Sequence, residues 1–154
     1  MNEKKLLKYA VDYLSKYDSS KKNLIDVLNR KIFRLKLTKL ERDDLLTSLK
    51  NIIEILEKNN LINDKRYSLN KITSLANSGK SKKYILSYLI KKGVNKLEII
   101  SNIEEFNDND WELNSAKIFA KKKRLLEKNE NYEKKLSKMA RAGFSYDICK
   151  KVLG

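Results

Sequence analysis

No proline occurs anywhere in the 154 residues, and apolar side chains recur at helical spacing almost from end to end. A proline inside a helix removes a hydrogen-bond donor and clashes with the preceding turn, so this chain carries no such obstacle. Its four glycines, at 79, 93, 143 and 154, stand where periodic segments stop. No stretch alternates with period two around β-branched residues. The pattern predicts an all-α protein of about nine helices and no sheet.

The segments can be placed from their stripes and caps. Leu6, Tyr9, Ala10, Tyr13, Leu14 and Tyr17 line the first. Ser19 or Ser20 opens a second with Leu24, Ile25, Val27 and Leu28, and Thr38 opens a long third running to Asn59-Asn60. Asn63 or Asp64 caps a fourth that Gly79 ends, and Ser81 caps a fifth that Gly93 ends. A sixth spans Lys96 to Glu105. Asn107 or Asp108 caps a seventh carrying Trp111, Ala116, Phe119 and Ala120 toward Leu126. The eighth runs from about Asn131 to Ala142, and Ser145 caps the ninth.

The segments repeat. Leu14, Ser20-Lys21-Lys22, Leu24, Leu28 and Lys31 match Leu75, Ser81-Lys82-Lys83, Ile85, Leu89 and Lys92 at a constant offset of 61. Leu136, Ala140 and Gly143-Phe144 echo Leu86, Ile90 and Gly93-Val94 at an offset of 50. Small helical units bury their apolar faces mainly against neighbours. The expectation is an elongated, curved array of three tandem three-helix repeats, at 1–60, 61–106 and 107–154.

Charge is segmented. Lys and Arg number 35 against 20 Asp and Glu, a formal net charge of +15. Residues 64–96 hold nine basic side chains and one acid, and residues 115–154 hold twelve and four. Between them, residues 97–114 hold six acids and no base. So large a charge repels itself in a compact chain, and a polyanion relieves the repulsion. A lysine-rich solvated surface is the plainer reading, yet it does not explain why acids are missing from 65–96. Of the bases, 29 are Lys and 6 Arg. Lysine is a flexible point charge, whereas arginine's fork reads guanine edges, so contact is expected with phosphates and with weak sequence specificity.

Several chemistries are excluded. Without His there is no imidazole triad, dyad or metal ligand. One cysteine, Cys149, forms neither an intrachain disulfide nor a zinc cluster, which fits a reducing cytoplasm. No apolar window approaches about 18 residues, so no membrane span is expected. Gly79-Lys80-Ser81 imitates the end of a phosphate loop, but Ser74 stands where its first glycine belongs. Asp108 and Asp110 lack the glycine and closing Glu of a calcium loop. Glu104-Glu105 has no nucleophile or metal beside it. The chain reads as no enzyme, with no catalytic residue, cofactor or metal.

Binding features remain. From Lys80 to Lys92 bases interleave with Tyr84 and Tyr88, which stand one turn apart. Lys121-Lys122-Lys123-Arg124 ends the seventh segment, where cations also suit the helix dipole. Lys134, Lys135, Lys138 and Arg141 form a further basic surface.

These residues also resemble a family. Leu61-Ile62-Asn63-Asp64-Lys65-Arg66-Tyr67, then Gly79, Ser81-Lys82-Lys83 and Leu89-Ile90-Lys91-Lys92-Gly93-Val94, are similar to the centre of RecX proteins. So are Asp110-Trp111-Glu112 with Lys121-Lys122-Lys123, and the closing run from Arg141-Ala142-Gly143-Phe144-Ser145 to Leu153. The resemblance covers about residues 8–154. It departs at Asn63-Asp64 for Asp-Asp or Asp-Glu, and at Thr73, Ser74 and Leu75 for arginines. Lys80-Ser81 stands for Gly-Pro, Tyr88 for a Glu, and Lys31-Ile32-Phe33 for Lys-Gly-Phe. It implies a three-repeat, basic, non-enzymatic, cytoplasmic regulator that lies in the groove of the RecA–DNA filament. Such a regulator inhibits ATPase and strand exchange, and so modulates recombination, repair and the SOS response. The implied partners are the RecA filament and single- and double-stranded DNA, met by a monomer. Carried over, the candidate contacts are Arg66, Tyr67, Lys82, Lys83, Lys91 and Lys92, with Lys121, Lys122, Lys123, Arg124, Arg141, Lys150 and Lys151. The rival expectations are a stand-alone DNA-binding helical module and a scaffold for acidic proteins.

Overall fold

A computed structural model describes residues 1–106 and 110–154. Among these residues there are nine helices and no strand. In order they are α1 (Glu3–Lys16), α2 (Lys21–Arg34), α3 (Lys39–Lys58), α4 (Asp64–Asn77) and α5 (Lys82–Lys91). Then come α6 (Lys96–Glu105), α7 (Trp111–Lys122), α8 (Tyr132–Arg141) and α9 (Tyr146–Leu153).

The starts follow from side-chain oxygens that accept otherwise orphaned backbone N–H groups. Ser20 accepts from Asn23, Asn63 from Arg66, Ser81 from Tyr84, and Ser145 from Ile148. Thr38 and Glu41 form a reciprocal capping box at the start of α3. Asn95 and Asn131 cap α6 and α8. The caps expected at Asn107 or Asp108 lie outside the described residues.

Two ends differ from expectation. Helix α7 stops at Lys122 and does not continue toward Leu126. Arg124 turns left-handed at φ 58°, and the Leu125 N–H returns to the Ala120 carbonyl. That closure drives Leu125 into the core, 1% exposed, and leaves Leu126 outside. Tyr17 lies just past α1, extended and exposed, with its ring 5.0 Å from that of Tyr13.

The chain packs as two units, Met1–Tyr67 with Lys92–Val94, and Ser68–Lys91 with Asn95–Gly154. In the first, α3 lies against both α1 and α2. Its core joins Leu6 and Ala10 of α1 and Leu24, Leu28 and Ile32 of α2 to Leu45, Leu49, Ile52, Ile53 and Leu56 of α3. In the second, α5 packs on α6, while α7, α8 and α9 surround Ala116, Ala120, Leu125, Met139, Phe144 and Cys149.

One joint occurs in each unit. In the first, Ser20 Oγ donates to the Lys92 carbonyl at 2.6 Å, and the Lys21 N–H donates to the Asp64 carboxylate at 2.8 Å. In the second, Ser81 Oγ donates to the Ala142 carbonyl at 2.8 Å, and the Lys82 N–H donates to the Glu112 carboxylate at 2.8 Å. Each serine thus caps its own helix and ties down the carbonyl just before a glycine. Those glycines make the approach possible. A Cβ on Gly93 would stand 2.5 Å from Lys22 Cβ, and one on Gly143 would stand 2.5 Å from Ser81 Oγ. Both are left-handed, at φ 82° and 99°. Ile32 holds the matching position of α2, is fully buried, and lets that helix run on to Arg34.

Candidate nucleic-acid interface

The joints decide which basic side chains face solvent. Capping at Ser81, with Ile85 and Leu89 fully buried, sets the roll of α5. Lys82, Lys83, Tyr84, Ser87, Ile90 and Lys91 are then exposed. Ser115 Oγ donates to the Lys80 carbonyl and fixes the loop before α5. The Lys80 ammonium sits 4.7 Å from the centre of the Tyr84 ring. The Tyr84 and Tyr88 rings lie 6.4 Å apart and 22° from parallel.

The fourth-helix candidates separate. Arg66 is exposed and donates to the Asn60 carbonyl at 3.0 Å, so it also closes the turn before α4. Tyr67 is 3% exposed. Its ring belongs to the scaffold and offers nothing to a partner, a correction to its place among the contact candidates. Lys92 is half-buried, and its carbonyl is taken by Ser20.

In the last three helices the basic residues are exposed except half-buried Lys135, which donates to the Glu127 carbonyl, and several others are also engaged. Lys122 donates to the Ser78 carbonyl at 3.0 Å. Arg124 pairs with Glu127 at 2.9 Å, Lys138 with Glu130 at 2.7 Å, and Lys151 with Asp147 at 3.2 Å. Such exposed pairs contribute about 0–1 kcal/mol each, so a phosphate can displace the carboxylate. Among the described residues, Lys83, Lys91, Lys121, Lys123, Lys134, Arg141 and Lys150 have no carboxylate within ion-pair distance. These seven are exposed and carry uncompensated charge.

An open groove of about 500 Å³ runs along α8, lined by Asn131, Glu133, Lys134, Ser137, Lys138 and Arg141. Lys134, Lys138 and Arg141 follow one another at helical spacing on one face. That spacing was readable in the sequence, but the groove was not. A second groove, about 400 Å³, lies between α2 and α3 and is spanned by the 3.0 Å pair of Lys21 and Glu57. Its charges are balanced, with Lys21 and Lys50 facing Glu54 and Glu57.

The phosphate-loop imitation resolves into helix punctuation. Gly79 is left-handed at φ 89° and Ser81 is a cap. Among the described residues no group of His, Cys, Asp or Glu could hold a metal ion, and no helix is long and apolar enough to cross a membrane. Cys149 is fully buried, and burial pushes its thiol above the ordinary value.

No family model matches the chain. Individual proteins do. It is 34% identical over 152 residues to the regulatory protein RecX of Myxococcus xanthus, covering 94% of this chain and 81% of that protein. It is 30% identical over 149 residues to the regulatory protein RecX of Clostridioides difficile, covering 94% and 64%. The crystal structure of RecX from Lactobacillus salivarius superposes with a TM-score of 0.71 at 24% identity, covering 98% of this chain and 94% of that one. A second crystal structure of a regulatory protein RecX gives 0.72 at 18%, covering 97% and 70%. Below a quarter identity, these two superpositions speak for the fold alone.

Proposed function

The chain belongs to the RecX family of regulatory proteins, and from that premise we propose that it docks on a RecA–DNA filament and inhibits the recombinase's ATPase and strand exchange. In this reading the protein is a non-enzymatic, cytoplasmic modulator of recombination, repair and the SOS response. The chain is read as three three-helix repeats, 1–60, 61–106 and 107–154, that reach more than one filament subunit at once.

The observation that carries the proposal is that cations on α5 and beyond it, Lys83, Lys91, Lys121, Lys123, Lys134, Arg141 and Lys150 among them, are exposed with no carboxylate within ion-pair distance among the described residues. Uncompensated lysines on rigid helices attract a polyanion and release its counterions. Lys82, Lys83 and Lys91 on α5, with Lys121, Lys123, Arg141 and Lys150 further on, are the proposed phosphate contacts. Arg66, Lys92, Lys122, Arg124 and Lys151 are the second tier, because each must first give up an internal bond or lies half-covered.

The test compares naked single strands with preformed RecA filaments at rising salt. Tighter binding to filaments, with a shallower salt slope, supports the proposal. Equal binding with equal slopes contradicts it and favours a stand-alone, sequence-neutral DNA-binding module. No retention by either points to a helical scaffold for acidic proteins.

A further inference from the structure

We propose that Tyr84, with Lys80 and Tyr88, is a stacking site for one unpaired base of single-stranded DNA. This rests on the DNA-facing part of the reading above and adds what that reading lacks, a contact to a base.

The argument begins with an exposed ring on a rigid support. Tyr84 is 41% exposed, although α5 is locked by two fully buried side chains, Ile85 and Leu89, and by the Ser81 cap. Its ring runs nearly parallel to that of Tyr88, at 22° and 6.4 Å between centres, so the half-buried neighbour backs and orients it. A tyrosine ring needs no ordering beyond its two torsions, and here the neighbour already restricts them.

The second observation is what now covers the ring. The Lys80 ammonium lies over the Tyr84 ring, 4.7 Å from its centre. A cation on an exposed ring is held weakly, whereas a base stacked on one is held more firmly. An arriving base takes the ring face, and the ammonium swings to the phosphate beside that base. The Lys80 backbone need not move, since Ser115 holds its carbonyl. One residue thus guards the empty site and serves the filled one.

The third is the surrounding charge. Lys83, next in sequence, is exposed, and Lys91 is exposed on the same flank as Tyr84 about 10 Å along the axis. Neither has a carboxylate partner among the described residues. The flank offers one flat apolar face framed by cations, which is the complement of a nucleotide. An acidic protein segment would satisfy the lysines and leave the ring without a flat partner. Duplex DNA would reach the lysines too, but its bases are already stacked.

The experiment measures fluorescence anisotropy of labelled strands of one length: oligothymidylate, an abasic strand with the same phosphates, and a duplex. The wild-type protein is expected to bind oligothymidylate about tenfold more tightly than the abasic strand. Tyr84→Ala erases that difference and Tyr84→Phe preserves it, while Lys83→Ala weakens both strands alike. Circular dichroism confirms that each variant is folded, which its exposure predicts. Equal affinity of the wild type for the base-bearing and abasic strands overturns the stacking site and leaves the phosphate contacts standing. Equal loss on both strands in Tyr84→Ala overturns it as well. Failure to bind any strand overturns both this proposal and the DNA-facing reading beneath it.

Discussion

Gly143 and Ser81 show how much a single atom decides. Ser81 Oγ occupies the space that a Cβ on residue 143 would need, at 2.5 Å, and Gly143 is left-handed as well. Gly143→Ala is expected to destabilise by about 1–2 kcal/mol or more, from backbone strain and overlap together. Ser81→Ala removes both a cap and the bond to the Ala142 carbonyl, for about 1–2 kcal/mol. The double variant loses less than the sum, by about 1 kcal/mol, because the alanine at 81 vacates the contested space. Additive losses in urea denaturation would show that the two positions do not meet. Cys149 supplies a second check. Its thiol is buried and keeps its proton to higher pH than in the unfolded chain. Between the two values the native state binds more protons than the unfolded one, so stability falls as pH rises above roughly 8.5 and is unaffected below. Alkylation at pH 8 is therefore expected to be slow in the native protein and to accelerate with urea. Rapid alkylation of the native thiol would place Cys149 outside the core.

At the level of helices, the sequence was legible wherever a side chain performs a local task. Thr38, Asn63, Ser81, Asn131 and Ser145 were visible as helix starts because capping needs only the next turn, whereas the Glu41 half of the capping box and the Asn95 cap were not read. Thr38→Ala should accordingly lower stability by about 1 kcal/mol, read as a fall of a few degrees in the melting temperature. An unchanged transition would mean that α3 starts independently of its box. The end of α7 was not legible. Arg124 adopts the left-handed turn without a glycine to announce it, and the turn is worthwhile only because Leu125 finds a core. Tyr67 misled for the opposite reason. It sits beside exposed Arg66, yet it is 3% exposed, off the i+4 series of Ser68, Ile72 and Ala76 that marks the buried stripe of α4. The joints were half visible. Ser20 and Ser81 stood out as a repeated pair, but the carbonyls and carboxylates that receive them come from residues tens of positions away. Local patterns carry no record of such partners.

For the molecule as a whole, charge placement links fold to function. The segment 97–114 concentrates acids and contributes no base, which leaves one acid among residues 64–96 and four against twelve bases in residues 115–154. Many weak phosphate contacts of this kind make binding steeply dependent on salt, and removing any one lysine should flatten that slope by about one unit of log affinity per log salt. Regulation of a filament needs more than attraction to phosphate. It also needs firmly built units, and within each unit a serine joint and a buried core supply that. The most direct measurement is the single-stranded-DNA-dependent ATPase of the cognate RecA with this protein added below stoichiometry. Inhibition well beyond the fraction of recombinase matched by added protein is the predicted result, since in the proposed mode one docked molecule would obstruct a run of subunits. An undiminished rate even at stoichiometric excess would contradict it.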